Sequence, residues 1–274
     1  MASELIRIFS DLHYGDRGSR ARTLSSIQPL LDGATTVVMN GDTIDTRPSR
    51  TPHRTDELRE ETMRFFAESA PSTVFLTGNH DPDISLRHTL DLAGGRIFVT
   101  HGDIIFDDLV PWGQDAPILR QKIAAELAAL PAGARDELDS RFTAYRRVAA
   151  SIPQRHQSER NGLKYIAGFL SDTVWPPTRI YRVLDAWSRA PGLAADLIRR
   201  HRPEARFMVM GHIHHPGFWR RPDGLVVINT GSFSPPLGAA MVEISPEWLA
   251  LRSIDQRNNA FYPGRVLASF PLAG

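Results

Sequence analysis

The chain has no cysteine among its 274 residues. That absence excludes disulfide bonds, thiolate metal sites and a cysteine nucleophile. Any metal ion must therefore be held by histidine, aspartate, glutamate or asparagine side chains. Because oxygen and nitrogen ligands suit Mn²⁺, Fe or Zn²⁺, the composition leaves these metals as candidates.

Excess charge and long apolar runs are also missing. The formal net charge is +1, so composition gives no reason to expect nucleic acid or an anionic membrane surface as a partner. No segment approaches the roughly 18 consecutive apolar residues of a transmembrane helix. The N-terminus, MASELIRIFSDLH, has neither a basic region nor a long apolar stretch, so no secretory signal is expected. The sequence therefore predicts a cytoplasmic protein that binds no nucleic acid.

Short apolar runs alternate with helical patterns in the first hundred residues. Runs rich in β-branched and aromatic residues predict strands at 4–10, 35–40, 72–77 and 95–100. The segments between them predict helices at 20–32, 54–69 and 84–93. Later runs predict strands at 206–210, 225–229, 238–244 and 248–254. Such alternation is typical of an α/β sheet.

A long helical region separates the two groups of strands. Within it, Ile180, Val183, Leu184 and Trp187 recur at i, i+3, i+4 and i+7, the spacing of an amphipathic helix. We therefore expect one domain over residues 1–274, with a helical insertion at 115–203 that forms a lid or cap. The aromatic residues in and beside it either form its own core or cover an apolar substrate: Trp112, Tyr165, Phe169, Trp175, Tyr181 and Trp187.

Polar residues collect where five of the predicted strands end. The segments that follow these strands read SDLH, NGDTID, GNHD, HGD and GHIHH. In an open α/β sheet, binding sites form beyond the carboxyl ends of the strands. Each segment alone is an ordinary loop, for instance an Asx-turn at Asn79. Their joint occurrence favours one site, and the converging carboxylates and imidazoles would repel or desolvate one another without a cation.

The last of these segments carries three histidines. His212 and His214 are two residues apart, so on an extended chain both rings lie on one side and are candidate ligands. His215 then faces the other side, and we expect it to be structural or exposed.

Taken in order, Asp-x-His, Gly-Asp, Gly-Asn-His-Asp, His-Gly and Gly-His-x-His resemble the motifs of the calcineurin-like metallophosphoesterases. The resemblance spans residues 11–214 and implies a calcineurin-like four-layer α/β sandwich, with two mixed β-sheets flanked by helices. It also implies two divalent metal ions, with Mn²⁺ favoured and Fe or Zn²⁺ as alternatives. One ion would bind Asp11, His13 and His214, the other would bind Asn79, His101 and His212, and Asp42 would bridge the two.

The same resemblance implies hydrolysis of a phosphodiester or pyrophosphate bond by a hydroxide that bridges the metals, without a protein nucleophile. His80 would contact the phosphate and protonate the leaving group, and Asp81 would orient its imidazole. Asp45 and Asp103 are either acceptors for ligand histidines or ordinary turn carboxylates. Residues 229–235, NTGSFSP, resemble a turn that follows the last histidine motif, which implies a position at the rim of the site.

The helical insertion and the segment HGDIIFDD at 101–108 are similar to the UDP-2,3-diacylglucosamine pyrophosphatases, which cover acyl chains with helices. One residue departs from that pattern, since His80 stands where that subfamily has arginine. This resemblance implies a small-molecule phosphate ester as substrate, in particular a nucleotide-sugar lipid. The alternatives are a cyclic-nucleotide or other small-molecule phosphodiesterase or phosphatase, and a non-catalytic interaction module. The oligomeric state and a peripheral membrane contact stay open.

Overall fold

A computed structural model describes residues 4–70, 72–154 and 178–272 of the chain. Its strands, in chain order, are β1 (Ile6–Phe9), β2 (Thr36–Asn40), β3 (Thr73–Leu76), β4 (Thr89–Leu92), β5 (Ile97–Thr100), β6 (Phe207–Met210), β7 (Gly217–Arg220), β8 (Val226–Asn229), β9 (Ala240–Ile244), β10 (Trp248–Arg257) and β11 (Ala260–Pro271). Its α-helices are α1 (Gln28–Leu31), α2 (Pro52–Ser69), α3 (Ala116–Ala129), α4 (Leu138–Ala150) and α5 (Thr178–His201). None of these described helices is both long and apolar enough to span a membrane.

The strands form two mixed sheets. The first has the order β11-β10-β9-β1-β2-β3, with β1, β2 and β3 parallel, and the second has the order β4-β5-β6-β8-β7, with β5, β6 and β8 parallel. β1, β5, β6 and β8 are buried along their whole length. A strand covered on both faces requires an unbroken apolar run, which explains why these strands could be read from the sequence.

Alternating side chains of the strands form separate cores on the two faces of each sheet. Ile8 of the first sheet and Val99 and Val209 of the second belong to one apolar cluster between the sheets. Phe9, the neighbour of Ile8, points the opposite way and packs in a second cluster with Leu30 of α1. α1 and α2 therefore cover the outer face of the first sheet.

The outer face of the second sheet is covered by α3, α4 and α5. Phe98 and Met208 of this sheet share an apolar cluster with Phe142 and Tyr145 of α4 and with Ala190 of α5. The order of layers is thus helix, sheet, sheet, helix, and the predicted fold class is confirmed.

The described part of the insertion is this fourth layer. Its proposed bounds, 115–203, and its role as a lid stay predictions. Three of the aromatic residues expected to serve as a cover or as a core, Tyr165, Phe169 and Trp175, lie outside the described residues.

The structure corrects two expectations about the elements and adds two strands. The predicted helix at 84–93 is wrong: the segment contains β4, which pairs antiparallel to β5. Leu90 and Leu92, two residues apart, pack on the core between the sheets, whereas Leu86 is 97% exposed, so the apolar period is that of a strand. The predicted helix at 20–32 is reduced to a 3₁₀ turn at Leu24–Ile27 followed by α1. β7 and β11 were not predicted, and β11 pairs with β10 across a turn at Asn258 and Asn259.

Candidate metal centre

The carboxyl ends of five strands bring the seven predicted ligands to one edge of the molecule. Parallel pairing of β2 with β1 and β3, and of β5 with β6, aligns these ends. The residues that follow them are Asp11 and His13 after β1, Asp42 after β2, Asn79 after β3, His101 after β5, and His212 and His214 after β6. All are buried except His214, which is partly exposed.

The backbone is strained at this edge. Asp11, His13, Asp42, His212 and His214 have φ angles of 53°, 47°, 53°, 68° and 55°. They are five of the nine non-glycine residues with positive φ in the described ranges. Each such residue costs on the order of 1–3 kcal/mol, and strain of this kind concentrates at functional sites. The strand ends are therefore shaped by a requirement other than packing.

A glycine allows the His101 ring to lie against the backbone that leads into Asp42. Gly41 has a φ of +81°, and a Cβ on it would lie 2.6 Å from the His101 ring. The Nδ1 atom of that ring lies 3.0 Å from Asn40 O, the distance of a hydrogen bond. Because Nδ1 is engaged by a backbone carbonyl, Nε2 is left to bind a metal ion.

Asp11, His13 and His214 form the first group of candidate ligands. Asp11 Oδ1 lies 3.0 Å from His214 Nε2 and 3.8 Å from His13 Nε2, and the two imidazole nitrogens are 3.3 Å apart. Asp11 Oδ2 accepts a hydrogen bond from the His212 N–H at 3.0 Å and another from Ser10 Oγ. Asp11 Oδ1 is buried, and apart from the two imidazoles no described residue offers it a hydrogen bond. One oxygen and two ring nitrogens at this separation can bind a divalent ion.

Asp42 connects this group to the second one. Its Oδ2 atom lies 3.9 Å from His13 Nε2 and 3.3 Å from His101 Nε2. Its Oδ1 atom accepts a hydrogen bond from the His80 N–H at 2.8 Å, which fixes the carboxylate. A carboxylate between two sets of imidazoles has the position that a bridging ligand needs.

Asn79, His101 and His212 form the second group. Asn79 Oδ1 lies 3.3 Å from His101 Nε2, and the His101 and His212 ring centroids are 5.2 Å apart. His212 Nε2 lies 2.7 Å from Leu109 O, so that nitrogen carries the proton and Nδ1 is left as the ligand atom. The two histidines thus present different nitrogens, each selected by a backbone carbonyl.

Two of the imidazoles are held neutral. Burial, and then the neighbouring His80, lower the pKa of His13 to about 4. Burial, and then His101, lower the pKa of His212 to about 4. Since a metal ligand must be unprotonated, both rings are in the required form at neutral pH.

His101 has the opposite shift. Burial lowers its pKa, but the charges of Asp42 and Asp11 outweigh that effect and raise it to about 10. Burial likewise raises the pKa of Asp11, but His214 and His101 outweigh it and lower the pKa to about 2. The two carboxylates therefore stabilise a buried positive charge. Divalent ions would supply that charge and displace the proton from His101.

His80 lies beside this cluster, with 28% of its side chain exposed. Its ring centroid is 4.9 Å from that of His13. Its Nδ1 atom lies 3.1 Å from Asp45 Oδ2 and 2.9 Å from Arg47 Nη2. Arg47 also donates to both oxygens of Asp45, at 2.9 and 2.7 Å. Burial raises the pKa of Asp45, but Arg47 and His80 outweigh it and hold that pKa well below its usual range.

The expectation that Asp81 orients His80 is wrong. The oxygens of Asp81 accept backbone hydrogen bonds from Gly78 at 2.8 Å, Asp42 at 2.9 Å and Thr43 at 2.7 Å. Burial and the charge of Asp42 raise its pKa to about 8. Asp81 holds the turn that carries Asp42, and Asp45 contacts His80 in its place.

Asp103 does not contact a ligand histidine as an acceptor. It forms a buried ion pair with Arg146 of α4. Asp103 thus joins the segment after β5 to α4.

His215, expected to be structural or exposed, lies between Trp187 and Trp219, with ring centroids 4.6 and 5.7 Å away. His215 thus packs between an α5 tryptophan and a β7 tryptophan.

The turn at 229–235 does not begin at the rim. Asn229, Thr230 and Ser232 are fully buried. Asn229 Nδ2 donates to Gly211 O, and Ser232 Oγ donates to Asp11 O at 3.2 Å. This part of the turn therefore hydrogen-bonds to the backbone of the two loops that carry Asp11 and His212.

Sequence reasoning missed several supporting groups. Ser10 lies directly before Asp11 and bonds both to it and to Thr230 Oγ1, at 2.6 Å for the latter. Arg47 and the carbonyl of Leu109 were not predicted either. Their roles depend on contacts across the fold, for which the local sequence carries no signal.

A sequence model of the family described as calcineurin-like phosphoesterase matches residues 5–216, a range that contains all seven candidate ligands. Among similar solved structures, vacuolar protein sorting 29 from Cryptosporidium parvum is 12% identical, with 99% of this chain and 100% of that chain covered and a TM-score of 0.48. A dimetal phosphatase from Danio rerio is 12% identical, with 99% of each chain covered and a TM-score of 0.47. A predicted phosphoesterase from Streptococcus pneumoniae is 16% identical, with 99% of each chain covered and a TM-score of 0.39. No curated protein sequence matches.

Proposed function

The chain belongs to the calcineurin-like phosphoesterase family, and we propose that it hydrolyses a phosphodiester or pyrophosphate bond with two divalent metal ions. The position of Asp42 carries the proposal. Its buried Oδ2 atom lies 3.9 Å from His13 Nε2 on one side and 3.3 Å from His101 Nε2 on the other. A carboxylate shared by two clusters of nitrogen ligands supports a dinuclear centre rather than a single ion.

The donor set fits such ions. Asp11 Oδ1 is buried and faces the His214 and His13 rings, and the charges of Asp42 and Asp11 raise the pKa of His101. Carboxylate, carboxamide and imidazole ligands suit Mn²⁺, Fe or Zn²⁺, and the family resemblance makes Mn²⁺ our first choice. When bound, the ions would activate a water molecule and neutralise the charge on the phosphate oxygens.

His80 serves as the proton donor to the leaving oxygen. Its Nδ1 atom is occupied by Asp45 and Arg47, so Nε2 is the nitrogen available to a substrate. Its partial exposure gives a substrate access, while its distance from His13 keeps it beside the metal ligands. A positioned acid of this kind contributes about 10²–10⁴-fold to the rate.

The substrate we propose is a nucleotide-sugar lipid whose pyrophosphate is cleaved. α5 supports this choice because Ile180, Tyr181 and Leu184 are 47%, 73% and 53% exposed, and such a surface suits an apolar chain. The same helix contacts the metal centre, since Trp187 Nε1 donates to Ile213 O, between His212 and His214, at 2.8 Å.

The test begins with metal content per chain, measured by elemental analysis, and with hydrolysis of a chromogenic nitrophenyl phosphodiester. We expect close to two ions per chain and an activity that disappears on chelation and returns with Mn²⁺. Nucleotide-diphosphate lipids, cyclic nucleotides and phosphomonoesters are then compared. Activity on cyclic nucleotides alone would support the small-molecule phosphodiesterase, and no hydrolysis with any divalent ion would support the interaction module.

A further inference from the structure

We propose that Gln154, four residues after the end of α4, is a positioning residue that holds His80 through the loop at residues 45–48. This inference rests on the proposed function, because it assigns Gln154 to the proton donor of that reaction. The loop belongs to residues 41–51, which form neither helix nor strand, so its geometry depends on the contacts made to it.

Gln154 makes three hydrogen bonds to this loop. Its Nε2 atom donates to Asp45 O at 2.8 Å and to Arg47 O at 3.0 Å, and its backbone N–H donates to Pro48 O at 2.9 Å. Gln154 is only 9% exposed. Both side-chain partners are carbonyl oxygens, so the amide nitrogen must face them, and both of its hydrogens are used.

The two residues bound in this way are the two that hold His80. The side chains of Asp45 and Arg47 lie 3.1 and 2.9 Å from His80 Nδ1, and they are also joined to each other. If the backbone of Asp45 or Arg47 shifts, the side chain that contacts the His80 ring shifts with it. Gln154 therefore acts on His80 through Asp45 and Arg47 and touches no reacting atom.

The contact crosses from one layer of the fold to another. α4 packs on the outer face of the second sheet, whereas the loop follows β2 of the first sheet. The helical region thus contributes to the chemistry of the strand ends, beyond any role in covering a substrate.

The activity test uses Gln154→Met, which keeps the length of the side chain and removes both N–H donors, and Gln154→Ala as a smaller second variant. The matched control is Gln28→Met, since Gln28 Nε2 also donates to a backbone carbonyl, that of Ser69, but lies at α1 away from the site. Two diesters are compared, one with a nitrophenyl leaving group and one with a phenyl group that needs protonation.

We expect Gln154→Met to lower kcat for the phenyl diester by about 10-fold or more, with little change in KM or in kcat for the nitrophenyl diester. In a His80→Asn background the same substitution should have no further effect on the ratio of the two rates. Equal loss on both diesters, or an effect that persists without His80, would mean that Gln154 is only structural.

A second readout needs neither metal nor activity. In the metal-free protein, the ¹⁵N signals of the His80 ring, identified by their loss in His80→Asn, should shift in Gln154→Met and Gln154→Ala but not in Gln28→Met. Unchanged ring signals in both Gln154 variants would overturn the proposal, whatever the kinetics show. If no divalent ion gives activity but the ring signals shift, the proposed reaction fails while the positioning of His80 by Gln154 stands.

Discussion

The edge that carries the candidate metal ligands and the helical layer on the second sheet are built in opposite ways. At the edge, five candidate ligands have positive φ, and buried carboxylates lie next to buried imidazoles. In the helical layer, α5 presents Ala186, Ala190 and Ala194 to an apolar cluster, and no residue of this described helix has positive φ. The edge carries strain and charge that destabilise the chain unless something binds there, whereas the helical layer supplies apolar burial that offsets them.

The two regions meet through a small number of polar contacts. Arg146 of α4 pairs with Asp103, two residues after His101, and Trp187 of α5 donates to Ile213 O between two ligand histidines. Gln154 binds the loop that carries Asp45. Changes at the edge should therefore affect chemistry more than stability, and changes at the contacts should affect stability strongly.

The largest effect is expected at the residue shared by both ligand groups. Asp42→Ala removes the carboxylate between His13 and His101, so activity on any phosphodiester should fall below detection and bound metal should drop from about two ions per chain. Elemental analysis and rate measurement check this. Asp91→Ala, at an exposed carboxylate that pairs with Arg202, is the control and should change neither quantity. Two ions and a normal rate in Asp42→Ala would refute the ligand assignment.

The next effect separates catalysis from metal binding. His80→Asn should keep both ions and lower kcat for the phenyl diester, whose leaving group needs protonation, by about 10²–10⁴-fold, because it removes the proton donor. His53→Asn, whose side chain is 89% exposed, should have the wild-type rate. His80 also has a ring nitrogen within 4.8 Å of ligand atoms of His13 and Asp42. A loss of one ion per chain in His80→Asn would therefore make His80 a ligand, contrary to the role proposed for it.

The gathering of these polar residues at one edge could be predicted from the sequence because its signals are local. An apolar run long enough for a buried strand, followed at once by Asp, Asn or His with a glycine nearby, identifies a strand end, and parallel strands bring such ends together. The four-layer fold was predicted through the motif resemblance, and the family match to residues 5–216 confirms it.

Side-chain direction and long-range contacts were not predictable in this way. Asp81 is next to His80 in sequence, yet its carboxylate faces Asp42, and Asp45 reaches the ring from 35 positions away. Gln154 bonds to residues 107 and 109 positions away. The positive φ angles of the candidate ligands fall on aspartate and histidine, which adopt such angles more often than most residues. Because these residue types occur in many loops, the sequence alone does not identify the strained positions.

The contact between the two regions should govern stability. Arg146→Met leaves the Asp103 carboxylate buried without its partner, which should lower the free energy of unfolding by about 3–5 kcal/mol. Urea unfolding measures this. Arg147→Met is the matched control, because the neighbouring side chain is 64% exposed and should change stability by less than about 0.5 kcal/mol. The double variant Arg146→Met/Asp103→Leu removes both charges and should recover most of the loss. A single variant no less stable than the control would show that the pair does not join the layers.

The smallest expected effect is on the free energy of unfolding and reports the backbone strain at His214. His214 has a φ of 55°, so in metal-free protein His214→Gly should be more stable than His214→Ala by about 1 kcal/mol, because glycine adopts this conformation without steric cost. His215, the next residue, does not have positive φ, and there the order should reverse by roughly 0.4–1 kcal/mol, since glycine gives the unfolded chain more freedom. Urea unfolding in the presence of a chelator compares the four variants. Alanine more stable than glycine at both positions would mean that the edge stores no backbone strain, and the contrast with the helical layer would then rest on charge alone.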